Sequence, residues 1–343
     1  MWIAALRLPA FVLIAALFAA PAASPAAPTI HADAIVVDLH CDTLLDLHAA
    51  RRTLAQRSTR GHVDLPRLRA GGVDVQVFAA FVAPGRGAWG SGRARELIQT
   101  FHATVRANAR QITHVTTVEQ IEHAQREGKV AAVLSIENGG DALDGDVRRV
   151  DEFYRQGVRM IGLTWNASNA LGDGALGRQH GGLTVLGRAV FQRMEELGII
   201  VDVSHLSAAA FWDALRSTRG PIIASHSNAA ALRGHPRNLS DDQLRAIAAR
   251  RGIAGANFYG GFLGASTLER VLDHIDHMVR VAGVDYVALG SDYDGIPQAP
   301  TGLEDVSKLP NLTAGLQRRG YSAENIHKIL GGNALRVFRA AWK

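Results

Sequence analysis

Residues 34–42 read Ala-Ile-Val-Val-Asp-Leu-His-Cys-Asp, a mostly apolar run rich in β-branched side chains that ends in potential metal ligands. The run predicts a buried β-strand, on which side chains two residues apart point the same way. His40 and Asp42 can therefore hold a metal ion from one side. Cys41 should point the other way, into a packed layer, as a small buried apolar side chain rather than a catalytic thiol.

Apolar runs of this kind recur along the chain, and segments with helical periodicity separate most of them. Continuous apolar strands divided by helices are typical of a parallel sheet. Eight such units in about 310 residues predict an α/β fold, a (β/α)8 TIM-type barrel with C-terminal helical closure by residues 322–338. The predicted strands are Ile35–Leu39, Val73–Val82, Val130–Ile136, Met160–Thr164, Ile199–Val203, Pro221–Ser225, Ile253–Asn257 and Tyr286–Gly290.

Helix starts are marked most clearly at two serines. Ser207 precedes an Ala-rich segment, and Ser240-Asp-Asp-Gln243 is a capping box, in which the serine and the glutamine each accept a hydrogen bond from the other's backbone. The predicted helices are Leu183–Leu197, Ser207–Arg216, Ser240–Arg251 and Leu268–Val281.

Composition indicates one large domain without a polyanionic partner. The chain has 343 residues, of which 47% are hydrophobic, enough for an α/β domain with a large core. No linker-like segment divides the chain after residue 33, so residues 28–343 are predicted to form a single barrel domain. The net charge of +5 comes from interspersed acidic and basic residues without a Lys/Arg tract, which argues against nucleic-acid binding.

Residues 1–27 are typical of a secretion signal. Arg7 precedes the apolar core Phe11–Phe18, and Ala20–Ala27 offers small-residue cleavage sites. A periplasmic or secreted protein with no membrane span after processing is therefore expected. The alternative is an uncleaved anchor, although the apolar stretch is shorter than the ~20 residues that a spanning helix needs. With Cys41 as its single cysteine, the chain can form no intramolecular disulfide.

Six candidate catalytic or metal-binding residues lie at the carboxyl-terminal ends of predicted strands. In a TIM barrel these ends meet at one rim, where the active site is built. Imidazole nitrogen and carboxylate oxygen both suit Zn²⁺. The six residues are His40, Asp42, Glu137, His205, His226 and Asp292.

Five of these residues can hold two metal ions only if one ligand is shared. We assign His40 and Asp42 to one ion and His205 and His226 to the other, with Glu137 bridging both. Two divalent ions about 4 Å apart repel each other, so a bridging carboxylate and a bridging hydroxide must offset the charge. The hydroxide would then be the nucleophile. Alternatively, Glu137 could cap the following helix or bind a backbone amide.

Other polar residues near these positions are expected to be structural. A histidine at a strand end is more often hydrogen-bonded than bound to a metal, and Asp38 and Asp202 should hydrogen-bond to neighbouring polar groups. The histidines in this class are His62, His102, His114, His180 and His274.

Taken in order, these residues resemble the membrane (renal-type) dipeptidase family, dinuclear zinc metallopeptidases among the amidohydrolase-like barrels. The match covers nearly the whole chain after the signal region, and its segments are specific only when taken together. They are Val37–Thr43, His62–Gly72, Ser135–Gly140, Val201–Leu206, Ser225–Asn228, His235–Asn238, Asn257–Tyr259 and Leu289–Gly295.

The resemblance implies a (β/α)8 barrel with two zinc ions that hydrolyses dipeptides, with the five ligands named above and Glu137 as the bridge. It also implies substrate-binding roles for Arg237 and Asp292, and we expect Trp165 and Tyr259 to bind the substrate as well. Arg237 can hold the free carboxylate of a dipeptide bidentately, because its planar guanidinium matches that group; alternatively it forms a structural salt bridge. Asp292 can accept the substrate ammonium and relay the proton of the attacking water. Asp294 is its rival for this role.

One position departs from the family pattern. Relatives commonly place a histidine in the segment matching Leu163–Asn166, where it polarises the scissile carbonyl, but this chain has Trp165. An indole can donate one hydrogen bond but cannot carry a positive charge, so oxyanion stabilisation or substrate choice is expected to differ. Asn166 and Asn169 are candidate replacements.

The leading interpretation is a zinc-dependent dipeptidase with a metal-bridging hydroxide as nucleophile. One alternative is an amidase of the same fold acting on N-acyl amino acids or D-configured dipeptides. A second is a binding protein that kept the barrel without catalysis. The resemblance also leaves a homodimer open, since relatives are often dimers.

Overall fold

The computed structural model describes residues 1–2, 27–85, 89–178 and 181–343. The predicted secretion signal falls almost entirely on residues 3–26 and His180 on 179–180, so both predictions lie outside the described residues. Within the described residues, no helix is both long and apolar enough to cross a membrane.

Eight parallel strands close into a barrel, as the apolar runs predict. Strand β2 pairs with β1 on one side and β4 on the other, and β1 pairs with β9, which completes the ring. A further strand, β3, pairs only with the start of β4 outside the ring and was not predicted. The strands are β1 (Val37–Cys41), β2 (Val75–Phe81), β3 (Ile112–His114), β4 (Val130–Glu137), β5 (Val158–Gly162), β6 (Ile200–Asp202), β7 (Ile223–Ala224), β8 (Ile253–Ala256) and β9 (Val287–Leu289).

Helices surround the barrel, and both predicted helix starts are confirmed. The Ser207 hydroxyl accepts a hydrogen bond from the Ala210 amide, and Ser240 and Gln243 form the capping box. Among the described residues the helices are α1 (Ala27–Asp33), α2 (Thr43–His48), α3 (Leu65–Ala70), α4 (Gly90–Ala107), α5 (Val118–Arg126), α6 (Gly139–Leu143), α7 (Arg148–Arg155), α8 (Val185–Leu197), α9 (Ala208–Ser217), α10 (Asp241–Ala249), α11 (Gly260–Leu263), α12 (Leu268–Ala282), α13 (Leu309–Arg318), α14 (Ala323–His327) and α15 (Asn333–Ala341).

Side chains alternate along the strands between two apolar layers. On β4, Ala131 and Val133 pack in the barrel interior, whereas Ala132 and Leu134 pack in the layer between strands and surrounding helices. Glu137 continues the inward series by the same two-residue period. Cys41 lies buried in the outer layer, as expected from its position between two inward-facing ligands.

The C-terminal segment closes the amino-terminal end of the barrel. A π-helical turn, Lys328–Gly332, joins α14 to α15. The Asn333 side chain donates to the Val287 carbonyl (2.8 Å), and the Trp342 indole donates to the Arg159 carbonyl (3.3 Å), both near the starts of strands. The predicted helical closure is therefore confirmed, and the opposite rim remains open for a site.

Candidate functional site

The six candidate residues meet at the carboxyl-terminal rim of the barrel. His40 lies on β1 and Asp42 follows it, Glu137 ends β4, and the other three follow β6, β7 and β9. Five of the side chains are buried, and Asp292 is partly exposed. The topology thus gathers residues that are up to about 250 positions apart in the sequence, as a TIM barrel does.

Glu137 lies at the centre of this group. Its Oε1 is 2.8 Å from His205 Nε2 and 3.9 Å from His226 Nε2, while its Oε2 is 3.5 Å from His40 Nε2. The carboxylate therefore faces one histidine with one oxygen and two with the other. A helix-capping role for Glu137 is not what the geometry shows, since both oxygens face histidines.

Two sets of three residues could each hold an ion. In one set, His40, Glu137 and His226 have potential ligand atoms within 4.8 Å of one another, and in the other His40, Asp42 and Asp292 do. His40 thus belongs to both sets, whereas the sequence interpretation gave it to one ion and shared Glu137. His205 lies beside the first set through its contacts with Glu137 and His226.

Hydrogen bonds fix the tautomers of two histidines. His205 Nδ1 lies 2.9 Å from the Asn166 side-chain oxygen, which can only accept, so Nδ1 carries the proton. His226 Nδ1 lies 2.7 Å from Ser225 Oγ, whose own proton is donated to the Asp202 carboxylate. In both rings the Nε2 lone pair therefore remains free for a ligand.

These lone pairs meet in a geometry that fits a cation. The Nε2 atoms of His205 and His226 are 2.8 Å apart, and both face Glu137 Oε1. Three acceptors at such distances repel one another unless a cation lies among them. In addition, His40 Nε2 and Asp42 Oδ1 are buried and have no hydrogen-bond partner among the described residues. Burying polar atoms without partners is costly, and a metal ion would satisfy them.

Charges within the site shift the carboxyl groups in opposite directions. Burial raises the pKa of Asp292 to about 7, and the nearby Asp42 and Glu137 carboxylates add to this effect while His40 opposes it. Burial would also raise the pKa of Glu137, but the neighbouring His40 holds that pKa well below its usual range. Glu137 is therefore an ionised ligand candidate, and Asp292 is able to exchange a proton near neutral pH.

Asp294, the rival of Asp292, is engaged elsewhere. It forms an ion pair with Arg52 and accepts hydrogen bonds from the Thr43 hydroxyl (2.6 Å) and the His62 amide (2.5 Å). Asp292 instead accepts one hydrogen bond from the Asn257 side chain (2.9 Å) and lies with His40 and Asp42. Of the two aspartates, only Asp292 belongs to a candidate ligand set.

Arg237 lies behind the rim rather than in the open cavity. Its guanidinium donates to Ser227 Oγ and to the His226 carbonyl at 3.3 Å each, and its buried Nε has no partner in the part of the chain that the structure describes. The Phe262 ring covers it at 5.3 Å from the guanidinium carbon. Burial lowers the pKa of Arg237 to about 10, so the group stays charged, with Asp292 and Glu137 favouring the charged form.

A cavity of about 360 Å³ opens above the candidate ligands. Asp42, Glu137, His205 and Asp292 line its floor. Aromatic side chains form much of its wall, in two edge-on pairs: Phe81 with Trp165, centroids 5.5 Å apart, and Tyr259 with Phe262, 4.8 Å apart. A volume of this size suits a small molecule, with apolar walls around a charged floor.

The two asparagines near Trp165 differ in what they can offer a substrate. Asn169 donates to the Asn138 side-chain oxygen and to the Leu163 carbonyl, both at 2.9 Å, so its amide is already engaged. Asn166 lines the cavity and uses its oxygen to orient His205. Trp165 itself lies 6.2 Å from the His205 ring, between centroids.

Sequence reasoning missed the residues that support the candidate ligands. Ser225 and Ser291 each precede a candidate residue, and their hydroxyls donate to Asp202 and Asp38 respectively. His205 and Asp292 also have left-handed backbone conformations, with φ of 70° and 63°, which are uncommon for residues other than glycine. A serine directly before a candidate residue recurs in Ser204-His205, Ser225-His226 and Ser291-Asp292, and this repetition was a signal available in the sequence.

Known proteins match this chain over most of its length. A family model described as membrane dipeptidase, peptidase family M19, matches residues 25–343. An uncharacterized dipeptidase of Schizosaccharomyces pombe is 33% identical over 332 residues, which are 89% of this chain and 80% of that protein. An uncharacterized protein of Klebsiella pneumoniae, from the 5′ region of pqqA, is 40% identical over 231 residues, 64% of this chain and 85% of its own.

Solved structures agree with this match. A dipeptidase described as a metallopeptidase of family M19 has a TM-score of 0.85 and 30% identity, over 90% of this chain and 99% of its own. A metallopeptidase of Rhodobacter sphaeroides, liganded with a phosphinate mimic of the dipeptide L-Ala-D-Ala, has a TM-score of 0.84 and 29% identity, over 90% of this chain and all of its own (100%).

Proposed function

We propose, from the premise that the chain belongs to the membrane dipeptidase family, that it is a periplasmic or secreted dipeptidase that works with two zinc ions. Family membership makes it a metallopeptidase that hydrolyses peptide bonds in dipeptides. The number and identity of the ions, the roles of individual residues and the location are our proposals. The observation that carries the metal site is the convergence of His40, His205 and His226 on one buried carboxylate, Glu137. The location rests on the signal-like sequence of residues 1–27.

In this proposal His40 and Asp42 hold one ion, His205 and His226 hold the other, and Glu137 bridges them. When bound, such ions would supply the Lewis acidity that polarises the scissile carbonyl and lowers the pKa of the nucleophilic water. The free Nε2 lone pairs of His205 and His226, and the unpartnered Asp42 Oδ1, support this ligand set.

Arg237 is proposed to bind the carboxylate of the dipeptide. Its Nε has no partner and its two other contacts are long, at 3.3 Å, so the guanidinium retains donors for a bidentate ligand. Phe262 contacts Arg237 and lines the cavity together with Tyr259, so both rings would flank that end of the substrate. A substrate without a carboxylate would gain no binding free energy from Arg237.

Asp292 is proposed to carry the proton. Its carboxyl group lies with His40 and Asp42, where it can accept a proton from the attacking water and deliver it to the leaving amine; in the metal-free protein burial raises its pKa to about 7. In its ionised form it can also accept a hydrogen bond from the substrate ammonium. Asn257 holds one of its oxygens, which leaves the other free for these tasks.

The test is a hydrolysis assay on a small dipeptide library with metal-free and zinc-loaded protein. We expect no turnover without metal, full turnover at two zinc ions per chain, and no hydrolysis of N-acetyl amino acids that lack the free ammonium. Two bound zinc ions without turnover of any dipeptide would favour the binding-protein alternative. Turnover of N-acyl amino acids alone would favour the amidase alternative.

The stereochemistry of the second residue is a separate question, and one observation favours D-configured substrates. The Rhodobacter sphaeroides neighbour holds a mimic of L-Ala-D-Ala. Comparing kcat/KM for L-Ala-L-Ala and L-Ala-D-Ala tests this directly. Repeating the comparison with Trp165→His tests the departure in the cavity wall: a changed preference between the two substrates would assign Trp165 a role in substrate choice.

A further inference from the structure

Two buried aspartates hold the rim residues in matching ways. Asp202, on β6, accepts hydrogen bonds from the backbone amide (2.9 Å) and hydroxyl (2.5 Å) of Ser225 at the end of the neighbouring strand β7. Asp38, on β1, accepts hydrogen bonds from the backbone amide (2.8 Å) and hydroxyl (2.6 Å) of Ser291 at the end of the neighbouring strand β9.

The two arrangements share the same serine contacts, although Asp38 Oδ2 also accepts a hydrogen bond from the Gln76 side chain at 3.0 Å. In each, the aspartate Oδ1 accepts a hydrogen bond from the serine amide and another from the amide two residues after the aspartate. That second amide belongs to Ser204 for Asp202 (2.9 Å) and to His40 for Asp38 (3.5 Å). In each, the aspartate Oδ2 accepts a hydrogen bond from the serine hydroxyl. Each serine immediately precedes a rim residue, His226 or Asp292. We call these the Asp202–Ser225 clasp and the Asp38–Ser291 clasp.

The clasps differ in the second contact that the serine hydroxyl makes. Ser225 Oγ gives its single proton to Asp202, so it can only accept from His226 Nδ1, 2.7 Å away. This direction of hydrogen bonding places the ring proton on Nδ1 and the lone pair on Nε2. Such partners of a ligating histidine set its tautomer and orientation and raise its basicity.

Ser291 Oγ has no ligand side chain to orient. It donates to Asp38, lies 3.3 Å from the His40 carbonyl and accepts from the Tyr293 amide at 3.1 Å, so it contacts the backbone next to Asp292. That backbone is left-handed, with φ of 63°, and Asp294 has φ of 67°. Conformations of this kind persist where surrounding contacts hold them. The clasp therefore fixes where the Asp292 carboxylate points.

We propose that Asp202 and Asp38 are positioning residues with separate tasks. Asp202, through Ser225, presents His226 Nε2 to one metal ion, and Asp38, through Ser291, holds the Asp292 backbone for proton transfer. The inference rests on the proposed function, since it takes His226 as a metal ligand and Asp292 as the proton carrier. Neither aspartate lines the cavity or belongs to a candidate ligand set among the described residues.

The two serine variants test this, each serving as the control of the other. Ser225→Ala and Ser291→Ala remove the same hydroxyl from the same kind of clasp. We expect Ser225→Ala to weaken one of two zinc equivalents about 10- to 100-fold, measured by titrating metal-free protein against a chromophoric chelator. We expect Ser291→Ala to keep both affinities and to lower kcat about 10- to 100-fold when fully loaded with zinc.

Asp202→Asn gives a readout that does not depend on activity. The new amide can donate to Ser225 Oγ, which would turn the hydroxyl proton toward His226 and move the ring proton to Nε2. In metal-free protein with ¹⁵N-labelled histidine, we expect the His226 ring signals to change from the Nδ1-protonated to the Nε2-protonated pattern. Asp38→Asn should leave those signals unchanged, and circular dichroism identifies variants that fold.

Failure of the inference and failure of the proposed function give different results. Wild-type protein that binds no zinc removes the premise and overturns both. Two zinc equivalents in the wild type, with equal affinities in Ser225→Ala and Ser291→Ala, overturn the positioning roles alone. An unchanged His226 tautomer in Asp202→Asn likewise contradicts the Asp202–Ser225 clasp.

Discussion

The two ends of the barrel differ in whether the polar side chains there have hydrogen-bond partners. At the carboxyl-terminal rim, His40 Nε2, Asp42 Oδ1 and Arg237 Nε are buried without partners among the described residues. At the amino-terminal end, α15 closes the barrel with polar side chains that donate to backbone carbonyls, as Asn333 does to Val287 and Arg336 does to Asp285.

This difference separates the parts of the molecule that act from the parts that stabilise it. Buried groups without partners destabilise a fold, and they persist where a ligand satisfies them. Apolar packing at the closed end can offset that cost. Substitutions at the rim should therefore change activity or metal binding, and substitutions at the closed end should change the free energy of unfolding alone.

The strongest test of the rim is Glu137→Gln. The amide keeps the size of the side chain but loses the charge that faces three histidines, so neither ion would be held by a bridging carboxylate. We expect kcat/KM for dipeptides to fall at least about 10³-fold and zinc stoichiometry to fall below two. Retention of activity would show that Glu137 has no essential role in the proposed mechanism, and the proposed metal site would lose its shared ligand.

The strongest test of the closed end is Phe338→Ala. Phe338 is buried among the residues of the barrel interior and stacks on Trp342 with ring centroids 4.3 Å apart. Its removal should lower the free energy of unfolding by about 3–5 kcal/mol, measured by urea denaturation. At temperatures where the variant stays folded, kcat should equal that of the wild type.

Val185→Ala is the control for this variant, because the Val185 side chain is exposed at the start of α8. It should change the free energy of unfolding by less than about 0.5 kcal/mol. A loss of kcat in folded Phe338→Ala would show that the two ends of the barrel are coupled, contrary to the division drawn above.

Most of the barrel could be predicted because its strands are continuous apolar runs. All eight predicted strands overlap the eight that close the ring, although β7 is only two residues long, Ile223–Ala224, against a predicted five. Strand β3 was not predicted because Ile112–His114 is a short segment. It pairs only with the start of β4, outside the ring, so it needs no continuous apolar run.

The position of the site could be predicted, but its supporting contacts could not. Strand ends converge in any TIM barrel, so His40, Glu137 and the other candidates were expected to meet. The left-handed backbone of His205 and Asp292 is not marked by glycine in the sequence, so no local pattern reveals it. The burial of Arg237 beneath Phe262 likewise depends on packing between distant segments.

Asp292→Asn tests proton transfer separately from metal binding at the rim. The variant keeps a hydrogen-bonding side chain but cannot accept a proton, so kcat should fall about 10²-fold or more while two zinc ions remain bound. Steady-state kinetics and zinc analysis measure both effects. Loss of one zinc equivalent would instead make Asp292 a ligand, in keeping with its place beside His40 and Asp42.

Asp294→Asn is the matched control, because it removes the neighbouring carboxylate charge from an ion pair with Arg52. We expect this variant to lose stability and to keep most of its kcat. An equal fall in kcat for both aspartates would mean that the loop as a whole, rather than Asp292, is required.

The smallest expected effect is at Asp74, a carboxyl group near the closed end. Burial raises its pKa to about 6, and its Oδ2 accepts a hydrogen bond from the Val36 amide at 2.8 Å. Because the folded pKa lies above the unfolded value, protonation favours the folded state. The contribution to stability is complete below about pH 4 and is lost as pH rises through about 6.

Asp74→Asn should remove this pH dependence without changing kcat. The neutral amide can still accept from Val36, so the variant should be more stable than the wild type at pH 8, by on the order of 1–2 kcal/mol given the partial exposure of Asp74. The difference between the two unfolding free energies, measured from pH 4 to pH 8, isolates this group from others that titrate. If this difference in unfolding free energy does not grow with pH, the pKa of Asp74 is not raised in the folded protein. A fall in kcat would mean that this end also contributes to the reaction, so the rim alone would not account for activity.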